Sequence, residues 1–88
     1  MRRGPITVTW LAGDPAEPPR VAYAIGRRAG GAVVRNRIRR RLRAIVREVA
    51  AQLRPGAYLV GASAGAASLS YRDLRATVCQ ALRALHGP

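Results

Sequence analysis

The sequence of 88 residues holds one cysteine, no phenylalanine and no lysine, and only four acidic residues. A single cysteine, Cys79, excludes an intrachain disulfide and gives no sign of secretion. No stretch approaches the roughly 18 apolar residues of a membrane span. The first ten residues turn to Pro5 and alternating threonine too early for a signal peptide. We therefore expect a chain that works in the cytoplasm and has no membrane partner.

The scarcity of acids also leaves little material for catalysis by side chains. A protein nuclease needs grouped carboxylates for a metal ion, or a histidine beside a nucleophile. The candidate groups are spread over a loop, two predicted helices and the chain end: Asp14, Glu17, Glu48, Asp73 and His86. We interpret Asp73 as a helix cap and Glu48 as a solvated helix residue. The sequence thus predicts no catalytic residue and no metal ligand.

Positive charge is what the chain has in excess. Sixteen arginines against four acids give a net charge of +12, a bias that is typical of proteins with a polyanionic partner. Nine of the arginines fall between positions 27 and 47, and no acid interrupts that stretch until Glu48. A merely solvated helix face fits poorly with nine arginines and no acid between them. A membrane-surface helix fits poorly because the narrow apolar stripe is needed for the core. Phosphates of nucleic acid fit better, with RNA only weakly favoured over DNA.

Three segments have the pattern of strands. Apolar and polar residues alternate in ITVTW, residues 6–10, and in VAYAI, residues 21–25, which predicts two half-buried strands of antiparallel direction. The proline-rich residues 11–19 form an exposed connection between them. A short apolar run bounded by glycine, residues 57–62, predicts a buried third strand.

Two segments have the pattern of helices. From about Val33 to Leu53, apolar residues recur at steps of four and three, which predicts an amphipathic helix ended by residues 54–56, Arg-Pro-Gly. Arginine occupies most of the remaining circumference. The S-x-x-D sequence of residues 70–73 predicts the start of a second helix, with a stop at residues 87–88, Gly-Pro. The expected fold is a single α+β domain, a two-layer sandwich of β-β-α-β-α order.

The stretch GRRAGGAVVRNRIRRRLRAIVRE, residues 26–48, resembles the signature of the bacterial ribonuclease P protein component. In that family a basic pair and a glycine-containing loop precede a helix that begins R-N-R. The similarity covers about residues 3–85, including AYLV and LSYRDL. It implies that the R-N-R helix crosses over between neighbouring parallel strands with a left-handed sense, against the usual right-handed rule. It also implies that the protein joins a catalytic RNA, which removes the 5′ leader from precursor tRNA with magnesium held mainly by the RNA.

The resemblance assigns roles to individual positions. Residues that match the family's contacts with the RNA subunit are Arg27, Arg28, Arg35, Asn36, Arg37, Arg40 and Arg47. Residues that match the side of the helix facing the leader strand are Arg35, Arg39 and Arg43. The Asn36 amide can both donate and accept, so it can fix a phosphate or orient a neighbouring arginine. No residue is assigned to catalysis or to a metal.

The sequence departs from the family pattern at its beginning. The family normally starts with a basic helix whose aromatic residues form one wall of the leader cleft, whereas this sequence reaches its first strand almost directly after Met1. Thr7 and Thr9 stand where an aromatic cleft residue is expected. We expect either a start further upstream or a shortened domain, residues 1–88, with a weaker hold on the leader and an exposed sheet that could self-associate.

Three rival interpretations stay open at this point. The first is a non-enzymatic RNA-binding module of the ribosomal-protein type, which would show no preference for ribonuclease P RNA. The second is a DNA-binding helix protein, which would prefer a base-paired DNA site. The third is a shortened subunit that folds poorly, which cooperative thermal unfolding would contradict.

Overall fold

Four strands and two helices make up the described part of the chain, residues 1–87 of a computed structural model. The strands are β1 (Arg2–Arg3), β2 (Ile6–Ala12), β3 (Arg20–Ile25) and β4 (Gly56–Ala62). The helices are α1 (Ala32–Glu48) and α2 (Tyr71–His86). The predicted order β-β-α-β-α is confirmed, with the two-residue β1 as an addition. Gly87 follows α2 with a φ of 75°, as expected of a helix stop, and the predicted Pro88 lies outside the described residues.

All four strands share one mixed sheet in the order β1-β2-β4-β3. The central strand β4 is antiparallel to β2 and parallel to β3, and Val60 lies opposite both Val8 and Tyr23. Strands β2 and β3 therefore run in opposite directions, as predicted, yet they do not pair because β4 separates them. Helix α1 connects β3 to β4, which makes it the crossover between neighbouring parallel strands that the resemblance implies. The left-handed sense of this crossover stays a prediction.

The core lies between the sheet and the helices. Period-two alternation turns Ile6, Val8 and Val60 toward the helices, while Thr7 and Thr9 face away and are exposed. Helix α1 packs against β3, and α2 packs against β2 and β1. The helix side of the core is the group Ile38, Leu42, Ile45, Leu74, Val78 and Leu82. The two-layer α+β sandwich is thus confirmed, with one face of the sheet covered by helices.

Two predicted boundaries were wrong. Helix α1 ends at Glu48 rather than Leu53, because Val49 leaves helical geometry (φ −105°, ψ 13°) and a 3-10 turn, Ala50–Gln52, follows. Val49 is nevertheless buried and Leu53 half-buried, so the apolar period continues through a change of backbone conformation that periodicity alone does not reveal. Strand β2 runs two residues beyond the prediction, because β4 offers partners as far as Gly56.

The start of α2 follows the predicted capping pattern. The Ser70 Oγ accepts a hydrogen bond from the Asp73 backbone N–H at 3.1 Å. Leu69 packs against the core on one side of the cap and Leu74 is fully buried on the other, which fixes the angle at which the chain enters the helix. This anchoring sets the position of α2 beside α1.

Candidate nucleic-acid interface

Helix α1 presents arginine on every side that is not buried. Its apolar residues Ile38, Leu42 and Ile45 enter the core, so side chains at the intervening positions point outward. The exposed polar residues of the helix on these sides are Asn36, Arg37, Arg40, Arg43 and Arg47, and the half-buried ones are Arg35, Arg39 and Arg41. Most of the circumference therefore carries guanidinium groups.

No carboxylate neutralises these arginines. Within residues 1–87 the salt bridges are Arg20–Glu17 at 3.5 Å and Arg75–Glu48 at 2.6 Å, and neither involves an arginine of α1. The Arg35 Nε atom is buried without a hydrogen-bond partner. The positive charge of the helix is thus available to an anion from outside the chain.

The beginning of α1 concentrates charge further. The N-cap is Gly31, which has no side chain to accept a hydrogen bond, and the first turn holds no acid, so the positive end of the helix dipole is not offset. The 3-10 turn Arg27–Ala29 lies directly before it, with both arginines exposed and Ala29 buried as an anchor. Gly30 joins turn and helix at a φ of 142°, where an added Cβ would lie 2.7 Å from Val34 Cγ1. The predicted Arg27 and Arg28 are thus held beside the R-N-R sequence.

The side of α1 that faces β3 carries the arginines predicted to face the leader. Asn36 Oδ1 accepts a long hydrogen bond from Arg39 Nη1 at 3.4 Å, so the amide orients a neighbouring arginine. The Arg43 guanidinium lies 5.9 Å from the centre of the Tyr23 ring, within cation–π range. Burial raises the pKa of Tyr23, while the charges of Arg43 and Arg47 oppose that shift.

Sequence reasoning assigned Tyr23 only to the strand pattern and missed its place beside Arg43. Thr7 and Thr9, where an aromatic residue was sought, lie on the exposed face of the sheet. The aromatic neighbour of the arginine helix comes from the next strand instead. The sequence does contain a signal for a contact between Tyr23 and the helix, because Tyr23 is the one aromatic residue of β3 and α1 is the next long element of the chain.

The opposite side of α1 is tied to α2. Arg41 Nη1 donates to the Leu69 carbonyl at 3.3 Å. Glu48 accepts from Arg75 Nε at 2.6 Å and from the Tyr71 hydroxyl at 2.9 Å, and these bonds lower the pKa of the Glu48 carboxyl. The interpretation of Glu48 as merely solvated was incomplete, because it is exposed but bonded to α2. The one acid of α1 is therefore neutralised.

The other titratable residues are dispersed. Asp14 lies in the loop between β2 and β3, Asp73 caps α2, and His86 Nε2 lies 2.6 Å from the Tyr58 hydroxyl at the end of α2. Among residues 1–87 no three histidine, cysteine or acidic side chains lie close enough together to hold a metal ion. Within the same range no helix is long and apolar enough to cross a membrane.

Comparison with known families shows which family the chain resembles. The model of the family described as ribonuclease P matches residues 1–86 of the chain. The chain belongs to the ribonuclease P protein family. Two curated relatives, both ribonuclease P protein components, support this family assignment. The one from Streptomyces griseus is 38% identical over 78 residues, covering 88% of this chain and 63% of that protein. The one from Thermobifida fusca is 44% identical over 72 residues, covering 81% of this chain and 49% of that protein.

A solved structure shows the same fold. The ribonuclease P protein of Staphylococcus aureus superposes with a TM-score of 0.81 at 18% identity, covering 91% of this chain and 73% of that one. At this identity the likeness concerns the fold alone. The chain spans about half to two thirds of the length of the two curated relatives.

Proposed function

We propose that this chain is the RNA-binding subunit of a cytoplasmic ribonuclease P and assists a catalytic RNA in removing the 5′ leader from precursor tRNA. The observation that carries the proposal is an arginine helix without carboxylate partners in a chain of this family. Guanidinium groups bind phosphate oxygens in planar, bidentate geometry, so such a helix suits a crowded phosphate backbone.

Helix α1 offers two surfaces for two RNA strands. The surface that points away from the sheet, with Arg40 and Arg47 exposed, is proposed to contact the RNA subunit together with the turn and first residues of the helix: Arg27, Arg28, Arg35, Asn36 and Arg37. The surface toward β3 is proposed to contact the leader through Arg35, Arg39 and Arg43. The Asn36–Arg39 hydrogen bond and the cation–π contact of Arg43 with Tyr23 support this second role, because they orient two of its arginines.

The chemistry of cleavage is proposed to reside on the RNA. The family resemblance implies that magnesium is held mainly by the RNA subunit, so the proposal assigns no step of the cleavage to a side chain of this protein. Its contribution is to neutralise phosphates, to stabilise the folded RNA and to favour precursor over mature tRNA through the leader.

The test is cleavage of a precursor tRNA by bacterial ribonuclease P RNA at low magnesium, with and without the chain. We expect the protein to restore cutting at the mature 5′ end, because arginines supply the phosphate neutralisation that magnesium otherwise provides. The matched control is a variant with Arg37, Arg40 and Arg47 changed to glutamine, which should bind RNA weakly and restore little cutting.

Binding specificity separates the proposal from its rivals. Equal affinity for ribonuclease P RNA and for an unrelated structured RNA, without restored cleavage, would contradict the proposal and favour a general RNA-binding module. Tighter binding to duplex DNA than to either RNA would contradict it as well. Measurements at several salt concentrations are needed, because phosphate contacts make affinity steeply salt-dependent.

A further inference from the structure

A second group of arginines lies away from α1, around the last turns of α2. An open groove of about 700 Å³ between β1 and α2 is lined by Arg3, Gln80, Arg83, Ala84 and Gly87. A smaller one of about 180 Å³ adjoins it, because Arg83 and Gly87 line both and Arg54 lines the second. We define this region, with Arg3, Arg54 and Arg83 at its border, as the α2-end surface.

The charge of the α2-end surface is not neutralised within residues 1–87. Arg83 is exposed and makes no salt bridge or side-chain hydrogen bond in this range. Arg3 Nη1 is oriented by the Arg2 carbonyl at 2.9 Å and meets no carboxylate. Of the four acids, Glu17 and Glu48 pair with other arginines, Asp73 caps the far end of α2, and Asp14 lies in the β2–β3 loop.

The end of α2 does not itself need these charges. Arginine in a last helical turn can simply complement the negative end of the helix dipole. Here Arg83 lies in the last turn of α2, but Arg54 Nη2 is the guanidinium that donates to a terminal carbonyl, that of His86, at 3.4 Å. Arg83 and Arg3 border the larger groove on both sides instead, one from α2 and one from β1.

Contacts along the helices place the α2-end surface far from the R-N-R sequence. Three contacts join successive residues of the α1 region to successive residues of the α2 region: Arg41 with Leu69, Glu48 with Arg75, and Arg54 with His86. The two helices therefore run in the same general direction, with the start of α1 at one end and the last turns of α2 at the other. From residue 37 to 48 on α1 and from 75 to 83 on α2 the rise sums to roughly 25–30 Å. The molecule's longest extent is 38 Å.

We propose that the α2-end surface binds the phosphate backbone of a second RNA segment, so that the protein joins two RNA segments at opposite ends of its long axis. The inference rests on the proposed RNA-binding function and extends it to residues outside α1. Charge complementarity indicates the occupant, since Arg3 and Arg83 border the groove without a salt bridge and no carboxylate side chain of residues 1–87 lines it. A separation of this size places the two surfaces on different segments of a folded RNA rather than on adjacent phosphates.

The test is an RNA-bridging assay with the full chain. One RNA hairpin is fixed to beads, and capture of a second, labelled hairpin without sequence complementarity to the first is measured with and without protein. The test variant carries Arg3→Gln and Arg83→Gln, and the control variant carries Arg20→Gln, an exposed arginine paired with Glu17. Thermal unfolding of each variant checks the fold, and single changes at Arg83 to Gln and to Ala provide a second route if the double variant is unstable.

The inference predicts capture by the wild type and by the Arg20 control, and about tenfold less capture by the double variant, which should still bind one hairpin through α1. The salt slope of single-hairpin binding should change little, because α1 supplies those contacts. Capture by the double variant equal to that of the control would overturn the inference. It would mean that the two hairpins are joined through α1 alone or through pairs of protein molecules. Absence of single-hairpin binding by the wild type would instead overturn the proposed function, so the two failures are distinct.

Discussion

At the scale of single residues, the arginines of α1 differ in their surroundings. Arg43 lies over the Tyr23 ring and Arg39 donates to Asn36. Arg40 is exposed and has no side-chain hydrogen bond or salt bridge within residues 1–87, and Arg47 is exposed but acts through its charge on the pKa of Tyr23. Arg41 is bonded to a carbonyl of the loop before α2. Identical side chains on one helix are therefore expected to respond differently to substitution.

The first prediction separates the two surfaces of α1. Arg40→Ala or Arg47→Ala should weaken binding to the RNA subunit and lower the salt slope by about one for each phosphate that is no longer neutralised. Arg39→Ala or Arg43→Ala should instead narrow the difference in affinity between precursor and mature tRNA. Binding titrations of both tRNAs to the assembled complex measure this. Matching profiles for Arg39→Ala and Arg40→Ala would show that α1 has one RNA surface rather than two.

The second prediction concerns His86, the only histidine of the chain. Its Nε2 contacts the Tyr58 hydroxyl, which also accepts from the Arg54 N–H at 2.9 Å, and its Nδ1 is buried without a partner. Burial, with a smaller effect of the Arg54 charge, lowers the pKa of His86 below its usual 6.5. The unfolded chain therefore binds this proton more tightly than the folded one, and stability should fall as the pH falls through about 6.5.

Thermal unfolding between pH 8 and 5 measures this effect. The loss should level off once the pH is below the folded pKa, since both states are then protonated. A His86→Gln variant, which cannot titrate, is the control and should show a flatter profile in this range. Equal slopes for the two proteins would assign the pH dependence to other groups.

At the scale of elements, the turn before α1 determines where two of the arginines lie. Gly30 has a backbone conformation that essentially only glycine adopts, and a side chain there would meet Val34. Gly26, at the other end of the same turn, has a φ of −72° and open space around it. These two glycines therefore form a matched pair for substitution.

The third prediction uses this pair. Gly30→Ala should lower the free energy of unfolding by about 1–3 kcal/mol, because it combines backbone strain with a close contact. Gly26→Ala should leave stability nearly unchanged. Denaturant unfolding measures both, and RNA binding should weaken in the Gly30 variant alone, because the turn holds Arg27 and Arg28 beside α1. Equal stability of the two variants would mean that the turn adjusts without strain.

Most of the elements were predictable from the sequence, because their signals are local. Alternation located β2 and β3, the four-and-three period located α1, and the capping pattern located the start of α2. The end of α1 was not predictable, since Val49 and Leu53 keep the apolar period after the helix has stopped. Likewise, nothing local tells that β4 lies between β2 and β3, because pairing partners are chosen by packing across the whole sheet.

The candidate site was predictable to a similar degree. Helical spacing shows which arginines share a side of α1, whereas their roles toward the RNA subunit and the leader come from the family resemblance and stay predictions. The contacts of Arg43 with Tyr23 and of Arg41 with the Leu69 carbonyl depend on how α1 sits on the sheet and beside α2. Such contacts between separate elements require the tertiary structure.

At the scale of the whole molecule, repulsion among like charges opposes the folded state. The net charge is +12, and the described residues hold only two salt bridges, both exposed, which contribute little stability. A partner that neutralises the charge should therefore stabilise the fold as well as bind it.

The fourth prediction follows from this charge. The melting temperature should rise when sodium chloride is added, because screening weakens the repulsion, and should rise further with RNA. At an RNA concentration of 100 times Kd, linkage gives about 2.7 kcal/mol of added stability. A variant with Arg37, Arg40 and Arg47 changed to glutamine should show a smaller salt effect. A melting temperature independent of salt in the wild type would show that charge repulsion does not limit its stability.

The central position of β4 also bears on how the chain folds during synthesis. Strands β2 and β3 each pair with β4 and not with one another. Neither strand therefore has this pairing partner until residues 56–62 have been synthesised. Helix α1, by contrast, needs only local hydrogen bonds and is synthesised earlier. The growing chain therefore exposes the arginines of α1 before its sheet can close, and RNA bound to them at that stage would favour the helical form of this segment.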